Sequence, residues 1–161
     1  MSRCLYCYQE LDEGETDFHP RCAKKIFGNK TIPTLSYTQE DIVQLAKQVI
    51  RSKTTVTGVQ PKLSLDLKAL SSKEEPKRFT IVGWSGMYIL KLQTEQFAHL
   101  PEVEDLTMHL AEIAKIAVVP HSLVRLSDGT LSYITKRIDR DSAGGKIRMK
   151  KFNKQILIGL L

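Results

Sequence analysis

The sequence predicts an α+β fold: an antiparallel sheet with two helices, preceded by a small module bearing cysteine and histidine. Three observations carry this. Leu63, Leu65 and Leu67 alternate with Ser64 and Asp66, the period-two pattern of a half-buried strand, and more short apolar runs follow. Two stretches, 38–53 and 102–115, repeat apolar residues at helical spacing. All three cysteines of the chain fall within residues 1–30.

The elements follow in order. Residues 1–30 end at a helix stop, Gly28-Asn29, after Ala23-Lys24-Lys25-Ile26-Phe27. Ile32-Pro33-Thr34 reads as an extended connector, because the residue before a proline is pushed out of the helical region. Thr38 is the N-cap of the first large helix, with Glu40 and Asp41 favourably placed in its first turn. Ile42, Leu45, Ala46, Val49 and Ile50 give it an apolar stripe. Ser71 to Lys77 is a polar loop containing Pro76. Phe79 to Val82 and Tyr88 to Leu92 are two short strands parted by Gly83-Trp84-Ser85-Gly86, so an antiparallel meander is expected. In the second large helix Val103, Leu106, Leu110, Ile113 and Ala114 mark the stripe expected to be buried. Ser122 to Leu126 and Leu131 to Ile138 form a hairpin closed by Asp128-Gly129.

Composition narrows the function. The 161 residues contain 42% hydrophobic and 26% charged residues, as a globular protein does. The formal net charge is +6, but Lys146, Arg148, Lys150, Lys151 and Lys154 supply five of those charges in a segment without an acid. The rest is nearly balanced, which argues against a broad nucleic-acid-binding face. No apolar run reaches the roughly 18–20 residues of a membrane span, and the N-terminus lacks the apolar core of a signal peptide. A cytoplasmic location is expected, with the cysteines reduced.

Cys4-Leu5-Tyr6-Cys7 is followed, after eleven intervening residues, by His19-Pro20-Arg21-Cys22. Two close pairs of soft or borderline ligands suit a tetrahedral zinc ion. Four protein ligands leave no open position, so the expected zinc is structural. A module this small hardly folds without such a staple. Redox chemistry through Cys4 and Cys7 is the weaker alternative, since no thioredoxin-type strand and helix surround them.

Two further features invite a phosphate. Thr54 to Lys62 is rich in hydroxyls, contains Gly58 and ends on a lysine, so its backbone N–H groups and Lys62 offer positive charge. One glycine does not make a phosphate loop, and on these residues alone an ordinary helix–strand turn is the better reading. Tyr88-Ile89-Leu90-Lys91-Leu92 puts a lysine inside an apolar strand. Such a lysine ordinarily reaches solvent. It is also what a kinase needs to hold nucleotide phosphates, with a helix glutamate such as Glu104 to orient it.

In combination these blocks resemble the HipA-like bacterial serine/threonine kinases. Gly58-Val59-Gln60-Pro61-Lys62-Leu63-Ser64-Leu65 resembles their glycine-containing loop, and Tyr88 to Leu92 their ATP-lysine strand. Glu104 with Leu110-Ala111 is similar to the helix that follows, and Ile134 to Arg140 to the hinge strand. The Cys-x2-Cys opening resembles a short N-terminal module of some members, especially where the usual N-terminal subdomain is a separate polypeptide.

The resemblance implies a kinase N-lobe over residues 31–149, after a zinc-binding module at 1–30 and before an atypical tail at 150–161. Within it Lys91, oriented by Glu104, would contact ATP phosphates. Gly58, Val59, Gln60 and Lys62 would cover them, and backbone groups near Lys136 to Ile138 would meet the adenine. Thr54 stands where the family carries a regulatory phosphorylated hydroxyl, usually a serine. The aspartates that position the acceptor hydroxyl and magnesium lie in the family beyond the hinge, and Asp139 and Asp141 fall within it. The lobe is therefore expected to be truncated and inactive alone, with no catalytic residue of its own.

Partners implied by the resemblance are a HipB-like DNA-binding antitoxin, a separate N-terminal subdomain protein, and a protein substrate such as an aminoacyl-tRNA synthetase. Two other functions fit the same residues: a non-catalytic protein binding an antitoxin or complementary kinase subunit, and a zinc-ribbon nucleic-acid binder.

Overall fold

The computed structural model describes residues 2–51, 62–68, 78–82, 86–141 and 145–147. They hold helices α1 (Pro20–Phe27), α2 (Gln39–Arg51) and α3 (Leu100–Ile113). The strands are β1 (Lys62–Lys68), β2 (Arg78–Ile81), β3 (Tyr88–Lys91), β4 (His121–Arg125) and β5 (Leu131–Lys136). All five join one antiparallel sheet in the order β2-β1-β3-β5-β4, so the α+β class holds. No helix among the described residues is long and apolar enough to cross a membrane.

The sheet is not a simple meander: β1 lies between β2 and β3. Its seven residues serve both neighbours, Leu65 to Lys68 facing β2 and Lys62 to Leu65 facing β3. Each neighbour has only four residues, so one long strand accommodates both. Gly86, just before β3, lies against the backbone of Leu65, where an added Cβ would overlap its carbonyl. Only glycine permits that approach.

Helix termini follow their local chemistry. Gly28 ends α1 with φ of 72°, its N–H donating to the Lys24 carbonyl at 3.0 Å. Thr38 and Asp41 form a reciprocal cap on α2: Asp41 N–H donates to Thr38 Oγ1 at 3.1 Å, and Thr38 N–H to Asp41 Oδ2 at 2.9 Å. Asp128 in the β4–β5 turn accepts the Gln39 N–H at 2.7 Å, fastening the hairpin to the same helix end.

The N-terminal segment is built into the main core. Cys4, Leu5, Phe18, Cys22, Ala23, Ile26 and Phe27 pack in one cluster with Leu63, Leu65, Phe79, Tyr88, Leu90 and Ile134. Tyr88 donates its hydroxyl to the Ile26 carbonyl at 3.1 Å. Leu5 covers the edge strand β4, its carbonyl accepting from Ser122 Oγ at 3.1 Å.

Helix α3 lies differently from its apolar pattern. Pro101, Asp105, Met108 and Ala111 are buried, while Val103, Leu106, Leu110 and Ile113 are each more than half exposed and Ala114 is exposed too. The stripe expected to face the core therefore faces out. The inward face is instead set by polar groups with partners: Asp105 is bonded by Tyr8 and His121. Periodicity counts only apolar residues and misses a buried polar network.

Candidate functional site

The first site is the cysteine–histidine cluster. A turn after Cys4 closes with the Tyr8 N–H on the Cys4 carbonyl at 2.9 Å, which points Cys4 and Cys7 the same way. His19 is the residue before α1, and Cys22 lies in its first turn. The four donor atoms all fall within 4.8 Å of one another, and Cys4, His19 and Cys22 are buried. His19 Nδ1 is 3.5 Å from Cys7 Sγ and 3.8 Å from Cys22 Sγ. Its Nε2 meets the Glu10 carbonyl at 2.9 Å, which requires the proton on Nε2 and leaves the Nδ1 lone pair facing the sulfurs.

Two of the thiols sit in opposite electrostatic settings. Burial pushes Cys4 up, but backbone N–H groups of Cys7, His19 and Tyr6 outweigh it and bring the thiol down to about 7. Burial, with Cys7 and Cys4 beside it, pushes Cys22 up to about 12. Crowded thiols of this kind are relieved by a metal ion. Cys4, Cys7, His19 and Cys22 are thus positioned to bind one.

The second site is a lysine–glutamate pair. Lys91 does not reach solvent: it is 7% exposed and its Nζ is 3.1 Å from Glu104 Oε1. The ammonium also lies 5.5 Å from the centroid of the Tyr133 ring. β3 and α3 bring these residues together across thirteen positions of sequence. Glu104 Oε2 and the Tyr133 hydroxyl are both buried without a hydrogen-bond partner among the described residues. Buried polar atoms left unused beside an ion pair are unusual for a purely structural contact.

Other predicted positions are placed less tellingly. Lys136 and Ile138 are half-buried around the end of β5, where the Lys136 N–H donates to the Pro120 carbonyl at 2.8 Å. Asp139 is engaged by the Arg137 guanidinium at 2.8 and 2.6 Å, which holds its carboxyl below the usual range. Asp141 Oδ1 accepts the Gly145 N–H at 2.7 Å. Thr54, Gly58, Val59, Gln60, the Lys62 side chain, Gly83 to Ser85 and the 150–161 tail lie outside the described residues.

A third cluster escaped the sequence reading. Asp105, His109 and His121 bring their donor atoms within 4.8 Å of one another. The available signal was Asp105-x3-His109-x2-Glu112, which puts three polar groups on one helical face.

These features define an α+β protein with a metal-competent N-terminal cluster and a buried β3 lysine paired with a half-buried glutamate of α3. The family model for the HipA-like C-terminal domain matches residues 54–157, well over half of the chain, and the chain belongs to that family. The match opens at Thr54, leaves the cysteine–histidine segment outside, and extends into the tail. No curated protein matches the chain.

Proposed function

We propose that the chain is the nucleotide-binding N-lobe of a HipA-like bacterial serine/threonine protein kinase of a toxin–antitoxin system. One observation carries this reading: the pair between the buried Lys91 on β3 and the half-buried Glu104 on the next helix, 3.1 Å apart. Protein kinases use a strand lysine and a helix glutamate in this relation to hold the α- and β-phosphates of ATP. Burying a lysine costs several kcal/mol unless it is paired, so an unneeded lysine here would be replaced by an apolar residue at little cost.

In this reading Lys91 contacts the phosphates and the Thr54 to Lys62 loop covers them. Lys136 to Ile138 meet the adenine by their backbone, and Thr54 is the regulatory phosphosite. Zinc fills the Cys4, Cys7, His19 and Cys22 site as a structural ion. Magnesium and the acceptor hydroxyl are managed by carboxylates of a C-lobe outside these residues, because Asp139 and Asp141 are tied to Arg137 and Gly145. The 161 residues alone bind ATP weakly and transfer no phosphate. An antitoxin of the HipB type, a separate N-terminal subdomain and a protein substrate such as an aminoacyl-tRNA synthetase are the corresponding partners.

Calorimetric titration with ATP tests this. Weak binding that falls at least tenfold in Lys91→Ala is expected. Binding unchanged by that substitution would make Lys91 a structural residue only.

A second reading, a non-catalytic interaction protein, is favoured by the exposed row Val103, Leu106, Leu110 and Ile113 on α3. It predicts tight association with an antitoxin or kinase subunit in the absence of nucleotide.

A further inference from the structure

Asp105 is fully buried, and among the described residues its ion-pair partners are only His109 and His121. No lysine or arginine among those residues neutralises it. A buried carboxylate requires a positive partner. The two imidazoles are held in a particular way. His121 Nδ1 is 2.8 Å from Asp105 Oδ1, and His109 Nε2 is 3.4 Å from Asp105 Oδ2. The opposite nitrogen of each ring faces Glu112: His109 Nδ1 at 3.5 Å and His121 Nε2 at 4.0 Å.

Each histidine thus turns one nitrogen to the buried aspartate and the other to a carboxylate behind it. Glu112 stands where the carboxylate–histidine–metal arrangement has its rear carboxylate, at ion-pair rather than hydrogen-bond distance. His109 Nε2 is buried and, apart from its ion-pair contact with Asp105, has no hydrogen-bond partner among the described residues, so a ligand nitrogen is available. Tyr8 donates its hydroxyl to Asp105 Oδ2 and fixes the carboxylate from the side of the N-terminal segment. The rings lie 4.8 Å apart between centroids. A cleft lined by Cys7, Tyr8, Leu106 and His109 gives an ion a way in.

We propose that Asp105, His109 and His121 form a second metal site, distinct from the cysteine–histidine cluster, that takes a divalent first-row transition ion. Two imidazoles and a carboxylate suit zinc, cobalt, nickel or ferrous iron, and disfavour magnesium or calcium, which prefer all-oxygen cages. Three protein ligands leave a position for water. The ion would neutralise Asp105 and tie α3, β4 and the Tyr8 segment at one point. The site does not depend on the kinase reading.

The full chain, stripped of metal, is titrated with cobalt and followed by absorption. Cobalt at the cysteine cluster gives thiolate charge-transfer bands, whereas cobalt at Asp105, His109 and His121 gives only weak ligand-field bands. Two cobalt ions per chain are expected, one of them without thiolate bands. His109→Gln should abolish the thiolate-free ion and leave the thiolate bands intact. Cys7→Ser should weaken the thiolate bands and leave the thiolate-free ion intact. Glu112→Gln, at a half-exposed position that leaves the fold alone, should weaken the thiolate-free ion about 10–100-fold. A single cobalt per chain in the unaltered protein would overturn the proposal, as would a second ion indifferent to His109→Gln and Glu112→Gln.

Discussion

A few side chains hold distant parts of this molecule, and their effect is measurable one at a time. Asp128 stands in a hairpin turn yet accepts the N–H of Gln39 at the start of α2, and that bond, with a weaker contribution from Thr130, holds its carboxyl below the ordinary range. A carboxyl depressed in the folded state adds stability above its unfolded pKa of about 3.9 and loses it as pH falls through the folded value. Asp128→Asn should therefore lower the denaturation midpoint at pH 7 only slightly, by the equivalent of about 0.5 kcal/mol or less, because the position is exposed and the Asn oxygen can still accept the Gln39 N–H. The gap should close on titration below about pH 4. An identical gap at pH 7 and pH 3 would show that the charge contributes nothing. Nothing in the sequence links Asp128 to Gln39, because turn signals are local and this contact spans 89 positions. The cysteine–histidine cluster was fully legible for the opposite reason: metal ligands in close pairs leave their spacing in the sequence.

At the scale of elements, legibility followed locality too. Gly28, the Thr38–Asp41 cap and the Asp128-Gly129 turn act within a few residues and were readable. Strand order was not, because Gly83 to Gly86 marks a break without saying to which edge of β1 the chain returns. The orientation of α3 was lost because its inner face is chosen by Tyr8 and His121, far away in sequence. Gly86 offers the test of the observed order. Gly86→Ala would drive a methyl into the Leu65 backbone, which cannot yield as a flexible side chain would. It should cost about 1–3 kcal/mol or more, read as a lower urea midpoint, whereas a Gly86 in an open meander turn would tolerate alanine. Lys91 behaves the same way: its burial depends on α3 arriving with Glu104, so a strand pattern alone pointed it to solvent.

For the whole molecule, the question is whether the cysteine–histidine segment is an appendage or a structural member. Its composition suggested a separate module stapled by metal. The packing joins it to the sheet: Ile26 and Phe27 are buried in the same cluster as Leu65 and Leu90, and Phe27 meets Phe79 edge-on at 5.7 Å between centroids. Tyr8 extends the contact to α3. Removing a metal held by Cys4, Cys7, His19 and Cys22 should therefore not melt a small module and leave the rest unchanged. A metal that binds only the folded state stabilises it by mass action, so its loss lowers the stability of every element that unfolds with the site. The expected result of adding a strong chelator is one cooperative thermal transition displaced downward by several degrees, with near-ultraviolet and far-ultraviolet signals moving together. Phe27→Ala, which deletes the largest side chain of α1 from the shared core, should lower the same single transition by about 3–5 kcal/mol. A chelated protein that shows two transitions, the upper one unshifted, would mean that the segment unfolds by itself and the shared core is too weak to couple them. An unshifted single transition would mean that the four ligands hold no metal that matters to folding.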